Sequence, residues 1–92
     1  MNKNEKTIEV FHIGNIIKDE LHRQGRTITW LSTQVNSTRD NLYKMFRRPW
    51  IYTDLLLDIS IALNYDFFKL YSEQYGTFKN EDSHNSNNIN EK

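Results

Sequence analysis

Thr27 to Phe46, TITWLSTQVNSTRDNLYKMF, is the stretch whose reading decides the fold. Ile28, Leu31 and Val35 stand at i, i+3 and i+7, and Leu42, Met45 and Phe46 at i, i+3 and i+4. Each half therefore has the period of a helix that buries one face. Between them Asn36-Ser37-Thr38 is polar, which ends the first helix and offers a hydroxyl to cap the second. The segment reads as helix, tight turn, helix.

Outward on the second of these helices fall Arg39, Asp40, Tyr43, Lys44 and Arg47, one stripe opposite the apolar one. This is the outline of a helix-turn-helix DNA reader. Arg and Lys pair with guanine O6 and N7, Asn41 with adenine N6 and N7, and Tyr43 with a phosphate or a thymine methyl. Asp40 is repelled by phosphates, yet near a helix start its carboxylate favours the N-terminal dipole, and it can accept from a cytosine amino group. The capping role is the preferred one.

A charged free face is ordinary for a surface helix, so the neighbouring residues matter. Arg47-Arg48-Pro49-Trp50 sets two cations and an aromatic in a loop that Pro49 keeps from continuing the helix, which suits a phosphate clamp. Two readings stand for Trp50, a hydrophobic plug over the helix end and a member of that clamping loop.

Working outward, the chain divides into a flexible arm at residues 1–10, a helical body at 11–76 and a disordered polar tail at 77–92. The first helix is expected from Phe11 to Gln24, with Phe11, Ile13, Ile16, Ile17 and Leu21 inward, Gly14 permitting close backbone approach and Gly25 closing it in a left-handed cap. The fourth is expected from Thr53 to Leu63, with Thr53 as N-cap, Asp54 in the first turn and Asn64 as C-cap. The fifth is expected from an Asp66 cap to Tyr75, stopped by Gly76. Beyond Gly76, TFKNEDSHNSNNINEK holds five Asn and a single aliphatic residue, too little to order it.

Ninety-two residues support one small core, and twelve aromatics offset an apolar content of 37% and a mean hydropathy of −0.79. The absence of cysteine excludes disulfides, thiol catalysis and Cys-based zinc sites. His12, His22 and His84 are scattered, no nucleophile sits beside a base and no Gly-rich phosphate loop is present. The chain reads as a non-enzyme without catalytic residues, metal or cofactor. No window is apolar enough to span a membrane and MNKNEKTIEV lacks the core of a signal peptide, so a cytoplasmic protein is expected.

The formal net charge is zero, but it is unevenly distributed. Lys18 to Arg48 holds seven cations against three anions, while Pro49 to Phe78 holds Lys69 against Asp54, Asp58, Asp66 and Glu73. An electropositive half and an acidic half would orient the domain on DNA and limit non-specific affinity.

From Ile13 to about Tyr75 the chain resembles the phage-repressor and Cro-like helix-turn-helix family, the XRE-type regulators. The likeness rests on Ile13-Gly14-Asn15-Ile16-Ile17, Trp30-Leu31-Ser32, Val35-Asn36-Ser37-Thr38-Arg39 and Leu56-Leu57-Asp58-Ile59-Ser60-Ile61-Ala62-Leu63, with Leu31, Val35, Leu42 and Leu63 in the core slots. It implies an all-α, compact five-helix, lambda-repressor-like domain. It also implies base reading by Arg39, Asp40, Asn41, Tyr43 and Lys44. Ile28 departs from the family, where many members carry a Gln that holds a phosphate; the hydroxyls of Thr27 and Thr29 and the free N–H groups of that helix start can take its place. Phe46-Arg47-Arg48 departs too, replacing the usual Glu, polar residue and Gly, and exchanges an ion pair for a larger aromatic core.

The expectation is a sequence-specific DNA-binding transcriptional regulator, a repressor, that inserts Thr38 to Arg47 into the major groove. Thr27, Thr29, Thr38, Arg47 and Arg48 are its phosphate contacts. Its partner is double-stranded DNA, bound as a homodimer; for Phe68, Tyr71 and Tyr75 of the fifth helix two readings stand, core packing as the default and a surface for the partner chain as the other, and the sequence indicates no small-molecule ligand and no membrane. The alternative is a protein-interaction module or antitoxin-like subunit on the same helical fold, favoured by the neutral net charge and by Asp40.

Overall fold

In the computed structural model, which describes residues 11–81, five helices follow one another: α1 (Ile13–Arg23), α2 (Ile28–Gln34), α3 (Arg39–Phe46), α4 (Thr53–Leu63) and α5 (Phe68–Glu81). No strand occurs among the described residues, and the domain is all-α. The expected arm lies outside the described residues, as does the tail beyond Glu81.

The helix periods read in the sequence become one core. Ile13, Ile17 and Leu21 of α1, Leu31 of α2, Leu42, Met45 and Phe46 of α3, Leu56, Ile59 and Leu63 of α4, together with Val35 and Phe67, form a single buried cluster. Each such side chain contributes on the order of 1.5–3 kcal/mol by leaving water. The α2–turn–α3 unit closes as its residues dictate. The Thr27 hydroxyl accepts from the Trp30 N–H and the Thr38 hydroxyl from the Asn41 N–H, both at 3.0 Å. Asn36 takes a left-handed conformation at φ 54°, and the Ser37 N–H reaches back to the Ser32 carbonyl. Asn tolerates that backbone better than most residues, so the polar turn is short and fixed.

α1 is seated against the end of α3. Gly14 brings its backbone so close that its N–H donates to the Arg48 carbonyl at 3.2 Å. The N-cap is an imidazole: His12 Nδ1 accepts from the Asn15 N–H at 3.0 Å, and Nε2 lies 3.2 Å from the Arg47 carbonyl. That pair of partners requires the tautomer with hydrogen on Nε2. One ring thus starts α1 and holds the end of α3.

At the other end of α1, Gly25 adopts φ 72° as its position after the helix demands, and Gln24 Nε2 donates to Glu20 Oε2 at 2.7 Å and to the Leu63 carbonyl at 2.9 Å. Arg23 Nε donates to Glu20 Oε1 at 2.8 Å, and a second guanidinium N–H meets Oε2. The Arg23 hydrogen bonds hold the Glu20 carboxyl below its ordinary 4.5, with Gln24 adding to them against the opposing effect of burial. A lowered folded value means that Glu20 contributes stability above the ordinary carboxylate range and loses it as pH falls through the lowered value. Glu20→Gln is expected to flatten the decline of the urea midpoint from neutral pH to below 4.5. Parallel pH curves for the two proteins would remove Glu20 from the acid response.

The start of α4 and the end of α5 differ from expectation. Thr53 is the first residue of α4 and not its cap; the cap position is Tyr52, which makes no side-chain hydrogen bond, and the Asp54 carboxylate accepts the Leu55 N–H at 2.8 Å instead. α5 does begin under an Asp66 cap, whose carboxylate accepts from the Lys69 N–H at 3.2 Å. It does not stop at Gly76. The helix continues through Thr77 to Glu81, so the first residues of the expected disordered tail are helical. Glycine ends a helix by turning left-handed, and among the described glycines only Gly25 has a positive φ. Inside a helix, Gly costs about 1 kcal/mol relative to Ala, which lowers stability without forbidding continuation.

Candidate nucleic-acid interface

α3 presents its free face as the spacing requires. With Leu42, Met45 and Phe46 buried, Arg39, Asp40, Asn41, Tyr43, Lys44 and the C-cap Arg47 are all exposed. At roughly 100° per residue, Asp40, Lys44 and Arg47 stand along the middle of that face, with Arg39 and Tyr43 on one flank and Asn41 on the other. Arg39 leans toward α2, where Nη1 lies 3.5 Å from the Thr29 hydroxyl. Tyr43 is 50% exposed, its ring set edge-on to Phe46.

Among the described residues no carboxylate lies within salt-bridge reach of Arg39, Lys44, Arg47 or Arg48. Asp40 shares their face but sits in the first turn of α3, where the helix dipole favours a negative charge. The face is therefore cationic with one anion at its head. Thr27 and Thr38 are both exposed, and each cap uses only an oxygen lone pair. Both hydroxyl protons stay free to donate to a phosphate oxygen. Thr29 is exposed on the first turn of α2, between Thr27 and the Arg39 guanidinium.

The loop after α3 departs from one of the two readings of Trp50. It plugs nothing: the indole is 48% exposed, with the Arg48 guanidinium 4.8 Å from its ring centre. Tyr52, which sequence reasoning passed over, is 68% exposed and meets Trp50 edge to face at 5.4 Å. Ile51, between them, turns inward against the core. Alternate residues of an extended segment point to opposite sides, so Trp50 and Tyr52 share one side because Ile51 takes the other. Beside them opens a cleft of about 210 Å³ lined by Ser37, Asn41, Lys44, Met45, Arg48 and Leu55 along with the loop residues.

The three aromatics of α5 read as core or partner surface separate. Phe68 is half-buried and packs on the core, so it belongs to the fold. Tyr71 lies edge-on to Phe11 at 4.8 Å, and partial burial pushes its phenol up. Tyr75 is 63% exposed and is joined one turn on by Phe78 at 65%, a residue that comes into play because α5 runs past Gly76. Among the described residues no helix is long and apolar enough to cross a membrane. Among known proteins, no family model, no curated protein and no solved structure matches this chain.

Proposed function

We propose that this chain is a sequence-specific DNA-binding transcriptional regulator of the phage-repressor and Cro-like kind, working as a repressor in the cytoplasm and reading the major groove with α3. One observation carries the reading: the helix that follows the tight turn exposes Arg39, Tyr43, Lys44 and Arg47 on one face, with no carboxylate paired to any of these cations among the described residues. Long cationic side chains on an eight-residue helix with an apolar back have the size and chemistry of a groove reader. Arg39, Asp40, Asn41, Tyr43 and Lys44 address base edges. Arg47, Arg48 and the hydroxyls of Thr27, Thr29 and Thr38 address phosphates, aided by the N–H groups at the start of α2.

A single small domain of zero net charge has little non-specific electrostatic affinity to draw on, and two copies on half-sites about one helical turn apart would supply the rest. Tyr71 and Tyr75 of α5, extended by Phe78, are the surface for that homodimer. Asp40 in the middle of the α3 face favours the second reading, an interaction module or antitoxin-like subunit that docks α3 on another protein.

Binding of the purified protein to a randomised duplex pool at two salt concentrations separates the readings. Enrichment of a short motif, palindromic with half-sites about one turn apart, is the expected result. Salt-labile binding without a motif would reduce the function to non-specific attachment. No binding at low salt would transfer α3 to a protein partner.

A further inference from the structure

The loop between α3 and α4 leaves two large aromatics in water at a position where Ile51 between them is packed away. Even with Arg48 over it, Trp50 keeps about half its surface free, and Tyr52 keeps more. Burying such rings favours folding, and here the fold forgoes much of that gain twice. The two rings border the cleft of about 210 Å³, whose other lining residues are the apolar Met45, Ile51 and Leu55 and the polar Ser37, Asn41, Lys44 and Arg48. Asn41 and Lys44 also stand on the free face of α3, so the cleft is continuous with the proposed reading surface.

We infer that this cleft holds one unpaired nucleobase of the bound DNA, stacked on Trp50 or Tyr52, and that the protein prefers duplexes carrying an unpaired nucleotide beside the segment read by α3. The inference rests on the DNA-binding reading and deepens it. A flat π-face suits the exposed rings and is common to all bases. An amide with donor and acceptor suits the base edge, and the Arg48 cation, without a carboxylate partner among the described residues, suits the flanking phosphate. An apolar peptide side chain would use the rings but would leave Asn41, Lys44 and Arg48 without partners. Extruding a paired base breaks its pairing and stacking, and an already unpaired one avoids most of that cost, so preference and not mere tolerance is the consequence.

The test uses the full chain and a short fluorescent duplex, compared with the same duplex carrying one unpaired adenine moved stepwise along the strand. At one position the bulged duplex is expected to bind about tenfold tighter than the matched one, the scale of a single base–aromatic stack. There, 2-aminopurine in place of the adenine should be quenched on binding. Trp50→Ala and Tyr52→Ala together should erase both the preference and the quenching, and Trp50→Phe should restore part of each. Both rings are exposed, so circular dichroism should show the folded helix content in all variants. Arg39→Ala should instead weaken matched and bulged duplexes alike. Equal affinity for matched and bulged duplexes at every position would overturn the nucleobase site while leaving groove reading intact, as would a preference that survives the double variant. Absence of binding to every duplex would overturn both.

Discussion

Gly14→Ala is expected to remove most of the stability of this domain, and with it every function that depends on α3. A Cβ on residue 14 would stand 2.5 Å from the Met45 carbonyl oxygen and 2.6 Å from that of Arg48, and it would also overlap the Phe46 carbonyl. All three neighbours are backbone at the closing turn of α3, so no rotamer change relieves the contact. Relief requires α1 and α3 to separate. That movement would break the Gly14–Arg48 hydrogen bond and pull the His12 ring from the Arg47 carbonyl. Forced overpacking costs typically 1–3 kcal/mol before such losses, and a chain this short has only a few kcal/mol in total. The measurement is urea unfolding of Gly14→Ala beside Gly25→Ala. Gly25 has nothing within 4 Å of its Cβ position but holds φ 72°, so its substitution costs only the left-handed penalty of about 1–2 kcal/mol. A large difference between the two locates the cost of Gly14 in helix contact. Equal losses would mean that the approach of α1 to α3 is looser than the carbonyl distances imply.

What could be read in the sequence was what repeats or what only a few residue types can do. Leu31, Val35, Leu42 and Leu63 fall in the core because apolar spacing at the helical period leaves them no other side to face. Asn36, Asn64 and Gly25 end their helices because a left-handed residue is best supplied by Asn or Gly. The miss at Gly76 has the converse reason: glycine permits a left-handed turn without enforcing one, and α5 continues. The caps of α1 and α4 were hidden differently. His12 caps through an imidazole whose second nitrogen needs a carbonyl 35 residues away, a partner no local pattern contains. Tyr52 stands at the cap of α4 without a capping side chain at all.

The same distinction divides the site. Arg39, Asp40, Tyr43, Lys44 and Arg47 belong to a regular helix, so knowing which side is buried fixes which side is free. Trp50 and Tyr52 belong to a loop, where side-chain direction follows from how the chain crosses from α3 to α4 and not from a period. Composition marked Trp50 as a residue of consequence but could not tell a plug from an exposed ring. Only the inward turn of Ile51 decides it. Phe68 follows the core reading for a related reason: the first turn of α5 is pinned beside the fully buried Phe67, so the adjacent ring is drawn onto the core.

Within the proposed DNA reading, Arg39→Ala and Lys44→Ala are expected to lose discrimination, whereas Arg48→Ala is expected to lose affinity. Arg39 and Lys44 stand on the α3 face with no carboxylate partner among the described residues, free to meet base edges. A well-aimed pair is worth about 1–3 kcal/mol of discrimination, so each alanine should cost roughly 5- to 150-fold on the selected sequence and far less on an unrelated one. Arg48 lies past the end of α3 with its guanidinium on Trp50, placed for the backbone. Its loss should weaken all sequences alike and reduce the slope of log affinity against log salt by about one. Asp40→Asn provides the opposing control. Removing the one anion from the face should raise affinity for every sequence at low salt, at a cost to α3 of about 0.3–1 kcal/mol from the lost dipole interaction. Titration of each variant on the selected and a scrambled duplex, at two salt concentrations, reads all four effects. Uniform losses from Arg39→Ala and Lys44→Ala would reassign both residues to phosphates and move base reading to Asn41 and Tyr43. A sequence-dependent loss from Arg48→Ala would instead draw the loop after α3 into the reading surface, because a pure phosphate contact carries no information about the bases.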